Sequence, residues 1–287
     1  MELEVGNTAR LLWREAQAGR LQRSLALVAG LTSGLSGLEV GYMHYRAGFG
    51  QWVMWTPLVS TQALQAAGVA AAIAPRGLGR RLLPAVSAIT LANCVVGFGF
   101  HLRGIARKPG GWRLLVPNVA MGPPPFAPLL LGISAYLGIL ATRLEPEFSR
   151  RQVAPEVREQ LHRHLAAVTG LAALCSGTEA LYSHHKNNFR YRAQYTPLMI
   201  APALAAAGFA SAAGRPGKKW LLPALAGLAM VDGAVGFFYH ARGIARRPGG
   251  RKHIVYNIMY GPPGLAPLLF AACGFFGLLA TALRGKR

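Results

Sequence analysis

Eight runs in this chain go close to 20 residues without a lysine or an arginine: 25–45, 56–74, 82–101, 126–142, 165–185, 196–213, 220–240 and 265–283. All 31 Lys and Arg fall between them. Lipid imposes this segregation. A charge at mid-bilayer is costly, and backbone groups there must pair within their own segment, so an apolar stretch of this length spans as a helix. The runs are rich in Ala, Gly, Leu and Val, small or apolar residues that let helices approach closely in lipid. The expected class is all-α, a polytopic membrane protein with eight transmembrane helices. Composition agrees, since 14% of the 287 residues are charged against about 25% in an average soluble domain.

The runs repeat. Adding 140 takes Glu39 to Glu179, Tyr42 to Tyr182, His44 to His184, Phe49 to Phe189, and Thr56-Pro57 to Thr196-Pro197. Further along the offset becomes 139, taking His101 to His240, Arg103 to Arg242, Arg107 to Arg246, Asn118 to Asn257, and Gly122-Pro123-Pro124 to Gly261-Pro262-Pro263. HLRGIARKPGG at 101–111 and HARGIARRPGG at 240–250 agree at 9 of 11 positions. The expected organisation is a four-helix unit at 25–142, a polar linker at 143–164, and a second unit at 165–283. An amphipathic surface segment (1–24) and a basic tail (284–287) flank them. Four spans is an even number, so both units enter the membrane from the same side. The repeats are expected to be parallel, whereas inverted repeats need an odd number of spans.

Both termini share one face with the loops at 75–81, 143–164 and 214–219. That face holds 18 Lys and Arg against 13 on the other. The positive-inside rule then places the termini in the cytoplasm. Nine of the 13 lie in the two loops after the repeated histidine, which would face outward, toward the periplasm of an inner membrane. No cleavable signal peptide is expected; Leu11, Leu12 and Trp13 among Arg10, Arg14, Arg20 and Arg23 read as a helix lying on the membrane surface. In this setting a net charge of +21 points to anionic lipid headgroups or an anionic ligand, not to nucleic acid. Cys94, Cys175 and Cys273 sit at unrelated positions in apolar runs and read as small core residues.

Polar residues matched inside the runs are the candidate site, because burying them in lipid is costly. Glu39 and Glu179 read as proton carriers or metal ligands, or alternatively as acids paired with a loop arginine. His44 and His101 fall at one depth at the ends of alternate spans, as do His184 and His240. Two imidazoles facing each other suit haem b, and with a carboxylate they suit iron or copper. Asn93, Gly97 and His101 lie on one helix face, as do Asp232, Gly236 and His240. Gly97 and Gly236 leave room for a flat ring or for a close helix crossing. Arg103, Arg107, Arg242 and Arg246 suit haem propionates or lipid phosphates. The copies also differ, at Tyr45/His185, Leu114/His253 and Asn93/Asp232.

No nucleotide-binding or hydrolase signature occurs. The expected function is an electron-transfer membrane subunit, like a cytochrome b, holding haem or another metal near the outer face. It would link a partner oxidoreductase to quinone. A metal-dependent oxidase acting on a lipidic substrate is the alternative, with Glu39, His44 and His101 as ligands. Glu39 and His44 stand about 140° apart on a regular helix, so one ion would hold both only at an unwound helix end. A small anion or proton transporter is a further alternative.

Overall fold

The computed structural model describes residues 2–215 and 217–284. Over these residues the chain is helical and forms no sheet. The helices are α1 (Glu2–Gln17), α2 (Gln22–Arg46), α3 (Thr56–Ile73), α4 (Leu78–Ala106), α5 (Leu115–Ala120), α6 (Ala127–Thr142), α7 (Pro155–Lys186), α8 (Thr196–Ala212), α9 (Leu221–Ala245), α10 (Ile254–Tyr260) and α11 (Ala266–Leu283). Short 3₁₀ turns precede α3, α5, α8 and α10. Residues 285–287 of the expected basic tail lie outside the described residues.

Six helical spans are long and apolar enough to cross a membrane: α2, α4, α7, α8 taken with the 3₁₀ turn before it (Arg192–Ala212), α9 and α11. The runs at 56–74 and 126–142 are also helical but do not reach that standard. α6 has 16 residues, short for a bilayer core about 30 Å thick. α3 carries Ser60, Thr61, Gln62 and Gln65 along its length. Proline sets several helix starts, standing at the first turn of α3, α6, α7, α8 and α11, where its missing N–H breaks no intrahelical bond.

In the first half α2 packs on α3 and α6, and α4 packs on both of those helices. In the second half α7 packs on α8 and α11, and α9 packs on both of those. The α2–α3 crossing is glycine on glycine: a Cβ on Gly68 would lie 2.6 Å from the Ala26 carbonyl and 2.9 Å from Gly30 Cα. At the matching crossing a Cβ on Gly208 would lie 2.7 Å from the Ala166 carbonyl and 2.9 Å from Gly170 N. Leu25 and Leu64 are fully buried in one half, and Leu165 and Leu204 in the other. The halves meet where α6 runs beside α7, with Tyr136 edge-on to the buried Phe276 at 6.2 Å between ring centroids.

The pole that carries the chain ends is tied by polar groups. Glu15 receives two hydrogen bonds from the Arg20 guanidinium, at 2.6 and 2.7 Å, and one from Phe148 N at 2.9 Å. Arg20 also donates to Ser149 O. Glu147 accepts from Arg23 N and Ser24 N, capping the start of α2. The N-terminal segment is therefore clamped to the linker, and Leu11, Leu12 and Trp13 face outward. The linker itself is shorter than its polar stretch, since α7 begins at Pro155.

Candidate metal centre

At the opposite pole four histidines make the same bond. His44 Nδ1–H donates to Met54 O at 2.8 Å and His184 Nδ1–H to Gln194 O at 2.9 Å. His101 Nδ1–H donates to Pro124 O at 2.6 Å and His240 Nδ1–H to Pro263 O at 2.7 Å. A carbonyl can only accept, so each bond fixes the tautomer that carries its proton on Nδ1. Nε2 keeps its lone pair, and no hydrogen bond to it occurs in any of the four among the described residues. This arrangement orients a ligating imidazole and raises its basicity. All four rings are partly buried. His101 lies within electrostatic reach of His44, and His184 within reach of His240. Within each half, the two matched histidines therefore influence one another electrostatically.

The acceptors come from short irregular segments. Met54 lies in the 3₁₀ turn Trp52–Trp55, and Gln194 in the turn Arg192–Tyr195. Each turn is held by a phenylalanine with positive φ, Phe49 at 45° and Phe189 at 46°, a conformation rare for a bulky residue. Phe49 stacks on Trp55 at 4.0 Å and stands edge-on to His44 at 6.2 Å. Phe189 stacks on Tyr195 at 4.6 Å and stands edge-on to His184 at 6.4 Å. Pro124 and Pro263 end the repeated Gly-Pro-Pro, so this motif delivers a carbonyl to the second histidine of each pair, while the first-turn prolines of α6 and α11 are Pro128 and Pro267.

The Pro-Gly-Gly of the repeated phrase has its own reason. Gly110 and Gly111 have φ of 76° and 48°, and Gly249 and Gly250 of 80° and 50°, a region open to glycine at little cost. Asn118 closes the first loop by donating to Pro109 O and Gly111 O at 3.0 and 2.7 Å. Asn257 closes the second by donating to Pro248 O and Gly250 O at 3.3 and 3.1 Å. The last turns of α4 and α9 and their C-caps present Arg103, Arg107, Arg242 and Arg246, all exposed and with no side-chain hydrogen bond or ion pair among the described residues. The segments 46–55, 102–125, 186–195 and 241–264 contain all 13 basic residues of this pole and no Asp or Glu.

Glu39 and Glu179 correct the expectation of an acid paired with a loop arginine. Glu179, on α7, accepts from Phe126 N at 2.6 Å and from Ala127 N, at the start of α6. Glu39, on α2, accepts from Leu265 N at the start of α11. Each acid therefore caps a helix N-terminus in the other half, where the helix dipole and free N–H groups favour a carboxylate. Tyr42 donates to Glu39 at 3.3 Å, and Tyr182 donates to Glu179. Neither acid joins the histidines, and no cluster of three or more His, Cys, Asp or Glu suited to a metal occurs among the described residues.

The glycines too are used in packing. A Cβ on Gly97 would lie 3.4 Å from Pro128, and one on Gly236 would lie 3.0 Å from Pro267. The room that could admit a flat ring admits the first-turn proline of the neighbouring helix. Asn93 and Asp232 hold the start of the preceding helix: Thr56 Oγ1 donates to Asn93 at 2.7 Å, and Thr196 Oγ1 donates to Asp232. Asp232 lies within electrostatic reach of His184. The backbone acceptors at Met54 and Gln194 have no signal in the sequence, because the side chains there differ. The pairs Phe49/Phe189 and Pro124/Pro263 are visible as repeated residues.

No family model matches the chain, and no curated protein or solved structure matches it.

Proposed function

We propose that this protein is an integral membrane electron-transfer subunit that holds a b-type haem in each half. All eight helical runs span, α3 and α6 included, as two parallel four-helix units of an inner membrane. The termini are cytoplasmic and the histidine pole is periplasmic. His44 with His101, and His184 with His240, would hold the haem iron. The observation that carries this reading is the common state of the four histidines: Nδ1–H is bound to a main-chain carbonyl, and Nε2 has no hydrogen-bond partner among the described residues. Haem brings four nitrogen ligands of its own and asks only two of the protein. A non-haem iron or copper site asks for three or more, and the acid nearest each histidine pair in sequence, Glu39 or Glu179, is committed to a helix cap. When bound, haem supplies a one-electron couple. The chain's part is to fix both imidazoles, to offer Arg103, Arg107, Arg242 and Arg246 to propionates, and to present a cationic surface. That surface suits an acidic partner oxidoreductase, with quinone as the other redox partner.

The test is an absorbance spectrum of purified protein expressed with ample haem, oxidised and then dithionite-reduced. A Soret band with sharp reduced α and β bands is expected, and it should vanish in His101→Ala/His240→Ala. A featureless wild-type spectrum rejects the proposal.

A further inference from the structure

At the pole opposite the histidines the two halves close differently. In the first half the α3–α4 hairpin is shut: a Cβ on Gly79 would lie 2.6 Å from Ala70 Cβ and 2.7 Å from the Ala70 backbone. Lining up Leu82-Leu83-Pro84 with Leu221-Leu222-Pro223 puts Lys218 at the position of Gly79. A lysine cannot take that close packing, and α9 begins only at Leu221. Between α8 and α9 there is instead a groove of about 510 Å³.

The groove has two chemically distinct parts. Its wall on α8 is Ala203, Ala206, Ala207 and Ala210, spaced to form one helix face. It extends about 10 Å from Ala203 to Ala210 at the helical rise. Ala203 and Ala206 are exposed, so the apolar wall opens sideways, where lipid tails lie if α8 and α9 span. The upper rim carries Arg215, Lys218, Lys219 and Arg284 and no acid. Trp220, 59% exposed with Lys218 Nζ 5.8 Å from its ring, stands beside that rim. A tryptophan with a cation at this level marks the headgroup region.

We propose that the α8–α9 groove is a binding site for an anionic phospholipid, its phosphate on the four cations and one acyl chain along the alanine wall. The charge decides the occupant: four cations with no acid select a negative headgroup, and an apolar alanine wall selects a chain over a free anion. The site belongs to the second half alone. It is independent of haem at the other pole.

The experiment is native mass spectrometry of the full chain in detergent, after delipidation, with added phosphatidylglycerol or phosphatidylcholine of identical chains. One phosphatidylglycerol should bind per chain, at least tenfold more tightly than phosphatidylcholine. Lys218→Ala/Lys219→Ala should weaken it by roughly thirtyfold, from the usual gain per basic residue near a headgroup. Ala206→Trp should weaken both lipids by blocking the wall. Arg80→Ala/Arg81→Ala, the same charge loss in the first half, should leave binding within about twofold. Equal retention of the two lipids overturns the proposal, as does an equal loss in the first-half variant. Displacement of the lipid by millimolar inorganic phosphate would also overturn it, by showing a free-anion site.

Discussion

At the histidine pole the two halves of the chain make the same bonds; at the pole of the chain ends they do not. Four imidazoles find four carbonyls, two phenylalanines hold the same unusual backbone, and two asparagines close the same loop. At the other pole His162, buried in the second half, bonds Ala280 O at 2.8 Å and lies 3.4 Å from Ser211 Oγ. Its counterpart 140 residues earlier is Gln22, fully buried, with both side-chain polar atoms unpartnered among the described residues. Ala71 stands where Ser211 would answer it. The difference teaches where a duplicated chain is free to drift. Apolar packing at one end of a bundle tolerates exchange if volume is kept. A ring aimed by a main-chain carbonyl depends on the whole local backbone, so all its supports stay together.

The largest expected effect tests whether the histidine sites are equivalent and separate. If the halves act independently, His101→Ala alone should lose about half the haem absorbance per chain and His240→Ala the other half. Loss of the whole spectrum from either single variant would show one shared site. Next come the crossed caps. Glu39→Ala and Glu179→Ala should each lower stability by about 1–2 kcal/mol, read as a drop in thermal unfolding in detergent. Unchanged melting would remove the capping role from the comparison.

A similar but pH-dependent effect belongs to the other pole. The Arg20 guanidinium holds the Glu15 carboxyl below its ordinary range. A carboxylate lowered in the folded state stabilises fully above its unfolded value, and that stability is lost as pH falls through the folded value. Arg20→Ala should therefore cost about 2 kcal/mol near neutral pH and little at pH 2, giving a flatter acid limb in a melting series. The smallest effect has the opposite sign. Gln22→Leu removes an amide with no partner and should raise stability by about 1 kcal/mol, whereas His162→Leu should lower it. A loss at both positions would mean that Gln22 is satisfied by a group such as water.

Much of the helical framework was legible because charge exclusion from lipid writes itself into the sequence. The ends were less so: α4 runs five residues past His101 and α7 starts ten residues before its apolar run, since a helix continues into the interface for as long as its backbone bonds allow. The matched polar residues take matching hydrogen-bond partners in the two halves, but residue type did not reveal those partners. Glu39 and Glu179 looked like buried acids in need of a cation. They are answered by backbone N–H groups at the start of a helix in the opposite half, about 226 and 53 residues away along the chain. Such donors exist at every helix start and leave no trace in composition. In the sequence Gly97 and Gly236 mark room for a flat ring or a close helix crossing; that Pro128 and Pro267 fill it depends on how the helices pack.

By itself the sequence determined the helical class, the duplication and the residues that recur, because hydrophobic exclusion and residue identity are local properties. Which histidine nitrogen is free, which helix each acid caps and which hairpin stays open were decided by the tertiary structure. Each depends on a main-chain group or a steric gap supplied by a segment remote in the chain, and such a group has the same chemistry at every residue until folding gives it a position.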